Sequence, residues 1–99
     1  MSDTTSYVAG TTDLPLFEDT IGAMLDRAVS RWPEREALVS VEQGVRWTYE
    51  EFGRRVDELA RGLMSLGLER GDRLGVWAPN CAEWTLTQFA TAKAGLIQV

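Results

Sequence analysis

The chain has 99 residues, of which 44% are hydrophobic and 25% are charged, as expected of one small globular domain. Its formal net charge is −5 and its basic residues are scattered among carboxylates, so we expect neither a nucleic-acid partner nor a basic amphipathic membrane anchor. Because it has one cysteine and no histidine, the sequence excludes an internal disulfide, Ser-His-Asp and Cys-His nucleophile systems, and zinc sites built from histidine and cysteine.

Residues 1–19 are largely polar and are predicted to be a flexible lead-in. They have neither a basic start nor an apolar signal segment, so we expect no secretory signal, and the lack of arginine before Arg27 argues against a mitochondrial presequence. No apolar run approaches the roughly 20 residues that a membrane-spanning helix needs. We therefore expect a cytoplasmic protein without a transmembrane segment.

A helix and a hairpin are predicted after this lead. Thr20 is the predicted N-cap of a helix that Pro33 ends, because its hydroxyl can accept a hydrogen bond from a first-turn N–H. The apolar residues of this helix recur at the spacing of one face: Ile21, Met24, Leu25, Ala28, Val29 and Trp32. Residues 36–48 alternate in polarity around a polar connection at 42–44, which predicts a β-hairpin.

The segment 49–66 predicts the longest helix. Thr48 and Glu51 have the spacing of a capping box, in which the hydroxyl accepts from a helical N–H and the carboxylate returns to the N–H of the cap residue. Gly67 follows as a left-handed residue that ends the helix. The apolar face that we expect to be buried contains Phe52, Val56, Leu59, Leu63 and Leu66.

A strand-to-helix corner is predicted next. The uniformly apolar stretch "LGVW", residues 74–77, is typical of a strand in a parallel sheet that is covered on both faces. Asn80 and Glu83 predict the cap of a helix over about 81–94, with Gly95 as its stop. Apolar residues surround most of this helix, so we expect it to be buried from more than one direction.

The last residues, 96–99, begin another apolar strand. A strand reached through a helical crossover should run parallel to the strand near 73–77 and should be buried, yet nothing follows in this sequence to cover it. We therefore predict an α/β fold of three helices, a hairpin and one strand-helix-strand unit. We also expect residues 20–99 to be the incomplete N-terminal part of a larger domain.

Two features near predicted turns are candidates for chemistry. Cys81 lies at the start of a helix, where the helix dipole can activate a thiolate, but without a histidine base we favour a packed, inert cysteine. Gly62 and Gly67 match the first two positions of a phosphate-binding P-loop, yet Leu68 and Glu69 stand where lysine and serine or threonine are required. We therefore assign these glycines to turns and helix ends.

Paired acids and tryptophans are the other candidates. The carboxylate pairs 34/36, 50/51 and 57/58 could serve as general acid and base, but their predicted positions favour solvation, capping and local ion pairs. The four tryptophans could stack on a ring-bearing ligand, but their positions favour core packing. Trp77 differs from the other three because it ends a strand where open α/β sheets bind ligands. We predict no catalytic, cofactor-binding or metal-binding residue in this chain.

The segments "DRAVSRWPEREALV" and "TYEEFGRRVDELARGLMSLGLERGDRLGVWAPNCAEWTLTQFATAKAGLIQV" strongly resemble the N-terminal region of adenylate-forming, AMP-binding acyl-CoA synthetases. This superfamily also holds luciferases and nonribosomal-peptide adenylation domains. The resemblance covers residues 14–99 in collinear order, and "WAPNCAEWTLTQFATAKAG" looks most like the medium- and long-chain fatty-acyl-CoA synthetase branch. It implies the first part of the large N-terminal domain of that fold.

In that family a carboxylic acid attacks the α-phosphate of ATP, and coenzyme A then displaces AMP from the acyl-adenylate. The resemblance implies ATP, Mg²⁺, coenzyme A and a fatty acid for the whole enzyme, with the rest of the synthetase chain as partner. The family's Ser/Thr/Gly-rich phosphate loop, Tyr-Gly-x-Thr-Glu segment, ribose-binding Asp and C-terminal lysine match no position here, and Lys93 stands in a different context.

We therefore expect the 99 residues to be inactive by themselves. The alternative is a stand-alone small α/β interaction module that binds a protein partner through an uncovered strand edge and helix face. Exposed apolar surface of this kind also predicts self-association. A small nucleotide-binding protein is disfavoured because the phosphate loop is missing.

Overall fold

The computed structural model describes residues 6–11, 13 and 18–99, so residues 1–5, 12 and 14–17 of the predicted lead-in lie outside the described residues. The elements follow in chain order as α1 (Ile21–Arg31), β1 (Glu36–Ser40), β2 (Val45–Thr48), α2 (Tyr49–Ser65), β3 (Arg73–Leu74), α3 (Ala82–Ala94) and β4 (Ile97–Gln98). The predicted order of three helices, a hairpin and a strand-helix-strand unit is confirmed. Within the described ranges, no helix is long and apolar enough to cross a membrane.

Helix α1 begins as its sequence predicts. The Thr20 hydroxyl accepts a hydrogen bond from the Ala23 N–H at 3.1 Å, which satisfies one of the unpaired first-turn donors. The helix ends before Pro33, which has no N–H to continue it. Leu25 is buried against the core, whereas Ile21 and Met24 of the same predicted face are exposed.

The hairpin pairs β1 with β2 in antiparallel register, with Leu38 opposite Trp47 and Ser40 opposite Val45. The register shifts between Glu36 and Leu38, which is the signature of a β-bulge. The turn closes through a hydrogen bond from the Gly44 N–H to the Val41 carbonyl at 3.2 Å. Gly44 has a φ of 67°, a left-handed conformation that glycine adopts without steric cost.

Helix α2 carries only half of the predicted capping box. The Thr48 hydroxyl accepts from the Glu51 N–H at 3.2 Å, but the Glu51 carboxylate pairs with Arg54 and Arg55 instead of returning to the cap. The hydrogen bond from Arg54 is the main cause that holds the pKa of Glu51 below its ordinary value. Gly67 follows the helix with a φ of 87°, so the predicted left-handed stop is confirmed.

The core lies where α2 packs against α1, α3 and the hairpin. Its buried apolar side chains come from α1 (Leu25), α2 (Phe52, Val56, Ala60, Leu63), α3 (Ala90) and the approach to β4 (Leu96). Phe52 stands edge-on to Phe89, with ring centroids 5.5 Å apart, an arrangement that aromatic pairs favour. The prediction for Leu66 is wrong: it is 75% exposed, because α2 ends at Ser65 before another turn can reach the core.

Strands β3 and β4 are parallel, as predicted, and α3 connects them. The Ile97 N–H donates to the Asp72 carbonyl at 2.8 Å, and the Val99 N–H donates to the Leu74 carbonyl at 2.9 Å. The pair is shorter than predicted, since only two residues of each chain segment qualify as strand. The prediction of core packing for Trp77 is wrong, because this residue lies beyond the paired positions and its side chain is fully exposed.

Candidate functional site

The best-placed candidate site is the corner between β3 and α3, residues 77–83, because open α/β sheets bind ligands beyond the carboxyl ends of their strands. Cys81 is half-buried at the N-cap of α3, and its side chain makes no capping hydrogen bond. Asn80 is exposed and also takes no part in the cap, so the predicted Asn80 cap is wrong. The corner therefore presents Trp77 and Asn80 to solvent.

The cap of α3 comes from the hairpin turn, almost forty residues earlier in the chain. Gln43 Oε1 accepts from the Ala82 N–H at 2.8 Å, which satisfies a first-turn donor of α3. The same amide donates through Nε2 to Glu83 Oε1 at 2.8 Å. Gln43 Oε1 also accepts from the Ser40 hydroxyl at 2.8 Å. One exposed side chain thus fastens the hairpin turn to the start of α3, a contact that no local sequence pattern signals.

Glu83 gives this corner a negative charge. The hydrogen bond from Gln43 is the main cause that lowers the pKa of Glu83 from its ordinary value, and the backbone N–H of Glu83 adds to the effect. A negative charge in the first turn of α3 also interacts favourably with the positive end of the helix dipole. Glu83 therefore stabilises the helix start as a carboxylate, which is the opposite of what a general acid at neutral pH requires.

Two shallow grooves flank Cys81. One, of about 300 Å³, is lined by Asn80, Cys81, Trp84, Thr85 and Gln88. The other, of about 210 Å³, lies against β1 and is lined by Leu38, Val39, Ser40, Asn80, Cys81, Ala82 and Thr85. Neither lining contains a lysine or arginine to hold a phosphate, which favours a structural role for the two grooves.

The candidate acidic pairs are mostly engaged in ion pairs. Glu36 pairs with Arg46, Glu58 pairs with Arg54, and Asp57 pairs with Lys93. Within residues 6–11, 13 and 18–99, no group of three or more His, Cys, Asp or Glu side chains converges to hold a metal ion. These contacts favour the structural interpretation of the acidic pairs.

The tryptophans divide between packing and exposure. Trp47 stacks on Phe52 with ring centroids 6.4 Å apart, and the Arg55 guanidinium lies 4.6 Å from the Trp47 ring. Trp32 is 39% exposed, with the Arg31 guanidinium 5.0 Å from its ring. Only Trp77 is fully open to solvent among the four.

A protein-family model described as "AMP-binding enzyme" matches residues 25–99, which is three quarters of the chain. The chain belongs to the AMP-binding enzyme family. Its segment matches the N-terminal part of acyl-CoA synthetases, and its fold is that of the N-terminal domain of adenylate-forming synthetases, so the family resemblance seen in the sequence is confirmed.

Several members of the family are similar to this chain. The mitochondrial medium-chain acyl-CoA ligase ACSF2 of Danio rerio is 53% identical over 96 residues, 97% of this chain and 16% of the ligase. The human protein of the same name is 49% identical over 94 residues, 95% of this chain and 15% of the ligase. The chain thus spans about one sixth of the length of the curated relatives it matches.

Solved structures of the family agree with the fold. A fatty acyl CoA synthetase of Mycobacterium tuberculosis superposes with a TM-score of 0.76 and 30% identity, over 80% of this chain and 16% of the synthetase. Apo MbtA of Mycobacterium smegmatis superposes with a TM-score of 0.76 and 32% identity, over 83% of this chain and 15% of that protein. The AMP-binding family therefore shares both the sequence and the topology of this segment.

Gln43→Ala is expected to destabilise the chain by about 1 kcal/mol, because α3 then loses its side-chain cap. Asn80→Ala is the matched control and should change the free energy of unfolding by less than about 0.5 kcal/mol, since an exposed side chain outside the cap is lost. Urea unfolding at pH 7 measures both. A larger loss at Asn80 than at Gln43 would show that the helix is capped locally.

The destabilisation caused by Gln43→Ala should also depend on pH. Because Glu83 has a lowered pKa in the folded state, its stabilising contribution is present above the ordinary value of 4.5 and is lost as the pH falls through the folded value. The difference in stability between wild type and Gln43→Ala should therefore shrink as the pH falls below 4.5. A difference that grows on acidification would contradict the role of the Gln43–Glu83 hydrogen bond.

Proposed function

We propose that this chain is the N-terminal scaffold of a fatty-acyl-CoA synthetase. In the reaction of the whole enzyme, a carboxylate oxygen of the acid bonds to the α-phosphorus of ATP and pyrophosphate leaves. The coenzyme A sulfur then bonds to the acyl carbon, and AMP leaves with the shared oxygen. The observation that carries the proposal is the match of residues 25–99 to the family in a parallel strand-helix-strand unit.

The proposed contribution of these residues is architectural. The carboxylates close to one another are mostly engaged by arginines or Lys93, and the grooves beside Cys81 lack a cation. The two grooves beside Cys81 therefore do not fit a site for Mg²⁺ or for the ATP phosphates, and in this proposal no step of the reaction is assigned to them. What the described residues supply is a packed helical layer and the pair β3–β4, on which a larger parallel sheet can be built.

The proposal also specifies the domain bounds, substrates, cofactor and location of the protein, which membership of the family does not by itself define. We infer a division into a lead-in at residues 1–19 and an incomplete AMP-binding domain at residues 20–99. Medium- to long-chain fatty acids, ATP and coenzyme A are the proposed substrates, with Mg²⁺ as cofactor; the similar ligases named above are medium-chain enzymes in their own names. We propose a cytoplasmic location on the composition of the lead, although those vertebrate relatives are named as mitochondrial.

A stand-alone interaction module is the second candidate. The observation in its favour is apolar surface at the β3–β4 pair, where Trp77 is fully exposed, Val99 is 68% exposed and Ile97 is 47% exposed. Exposed apolar side chains beside a sheet edge are features of protein-binding surfaces and of self-associating fragments. Under the synthetase proposal the same surface is covered by other parts of the enzyme.

The purified 99-residue chain is expected to form no acyl-CoA. It should be incubated with ATP, Mg²⁺, coenzyme A and a panel of medium- and long-chain fatty acids, with AMP and pyrophosphate measured against a blank without protein. The similar ligase of Danio rerio is the positive control. AMP or pyrophosphate above the blank, abolished when the fatty acid is omitted, would refute the architectural role of this segment.

A further inference from the structure

Lys93, the only lysine in the sequence, joins the three helices of the described part of the chain. Lys93 Nζ lies 2.5 Å from Asp26 Oδ1 on α1 and 2.7 Å from Asp57 Oδ1 on α2, while Lys93 itself belongs to α3. Its side chain is 15% exposed, whereas those of Asp26 and Asp57 are 66% and 43% exposed. Burial alone would lower the pKa of Lys93, but the hydrogen bonds to the two carboxylates outweigh it and raise the pKa.

The backbones also approach closely at this point. A Cβ on Gly22 would lie 3.1 Å from Lys93 Cγ, so the lysine stem runs directly over the first turn of α1. Beside this contact is an open groove of about 570 Å³, lined among others by Asp26, Arg70 and Lys93. The ion pair therefore lies at the seam between α1 and α3, with solvent reaching it from the Asp26 side.

The two halves of α1 are fastened by different means. After its C-terminal end, the Pro33 carbonyl accepts from the Glu50 N–H at 3.1 Å and the Arg35 carbonyl accepts from the Tyr49 N–H at 2.9 Å. In the N-terminal half, Leu25 is the one buried large side chain, and Ile21 and Met24 are 55% and 41% exposed. Leu25 and Lys93 are therefore the contacts that we expect to hold the N-terminal half in place.

We propose that Lys93 is a latch that holds residues 21–26 against α2 and α3, so that loss of its charge lets this half of α1 open while α2 and α3 stay folded. Segments with few buried apolar contacts open locally at lower free energy than the core. Loss of the charge on Lys93 removes both of its ion pairs, and with them the attraction that joins α1 to α3. The inference does not depend on the proposed synthetase activity.

Hydrogen–deuterium exchange on the full chain tests this latch. In Lys93→Met, which removes the ammonium but keeps most of the unbranched apolar stem, the hydrogen-bonded amides of residues 23–26 should exchange roughly tenfold faster, while amides in the middle of α2 keep their wild-type rates. Lys93→Arg is the control, because a guanidinium on a similar stem can still reach both carboxylates and should stay near wild type. Equal acceleration in all three helices, or none in α1, would overturn the proposal.

Asp26→Asn keeps the test decisive if Lys93→Met does not fold. This change removes only the α1 partner, at an exposed side chain, and leaves the pair between Lys93 and Asp57 in place. Faster exchange confined to residues 21–26 supports the latch. Wild-type exchange in Asp26→Asn, or an α1 that has no protection in the wild-type chain, contradicts it.

Discussion

Placing a methyl group on Gly53 is expected to destabilise the chain, whereas the same change at Gly62 of the same helix should stabilise it. A Cβ on Gly53 would lie 2.8 Å from Val29 Cγ2, and a β-branched side chain in a helix has little freedom to move away. Helices α1 and α2 must then separate, at a cost of about 1–3 kcal/mol for overpacking. Alanine regains about 1 kcal/mol over glycine in a helix, so we expect a net loss of about 1 kcal/mol.

Gly62 is the matched control because a Cβ there meets nothing within 4 Å. Only the helix propensity changes at this position, so Gly62→Ala should gain about 1 kcal/mol. Thermal unfolding of the two variants should therefore move in opposite directions, by about 4–8 °C per kcal/mol for a chain of this size.

A second substitution isolates the contact itself. In a Val29→Ala background the atom that Gly53→Ala would meet is absent, so the cost of Gly53→Ala should largely disappear. If Gly53→Ala raises the melting temperature as Gly62→Ala does, or if its cost is unchanged without Val29, the close packing of α1 on α2 is refuted.

Local signals predicted most of the secondary structure. The hydroxyls of Thr20 and Thr48 cap α1 and α2, as the local sequence predicts. Gly67 and Gly95 have the left-handed conformation expected of residues that end a helix. The hairpin follows from alternation around a glycine-bearing turn. Each of these features depends on residues within a few positions of one another, which is why a single sequence contains the information.

Contacts between distant residues were not predictable in the same way. The cap of α3 comes from Gln43, although Asn80 has the better local position for it. The contact between Gly53 and Val29 depends on how two helices cross, so the periodicity of either helix does not show it. The partners of Lys93 likewise lie 67 and 36 residues away in the sequence.

The errors at Leu66 and Trp77 have a common physical cause. The pattern of apolar residues predicts which face of a helix or strand is buried. It does not predict the residue at which that helix or strand ends and its packing against neighbouring elements stops. Leu66 follows the last residue of α2, and Trp77 follows the last paired residue of the β3 segment, so both are exposed in the described chain.

Exchange of residues 20–99 into a related enzyme tests the proposed role most directly. The ligase of Danio rerio is 53% identical to this chain over 96 residues. A protein core tolerates exchange of its residues when the total side-chain volume and the hydrophobic pattern are kept. If these residues are scaffold, the chimera should retain the catalytic groups of the ligase in their places. Its kcat/KM should then stay within roughly tenfold of the parent, which is about 1.4 kcal/mol of transition-state stabilisation.

The measurement is the formation of acyl-CoA and AMP from a medium-chain fatty acid by this chimera. The same ligase lacking the exchanged segment is the control and should be inactive, because its sheet and helical layer are incomplete. Our account predicts acyl-CoA and AMP in equal amounts from the chimera. A chimera that unfolds with the cooperativity and melting temperature of the parent ligase, yet forms no acyl-CoA, would contradict it.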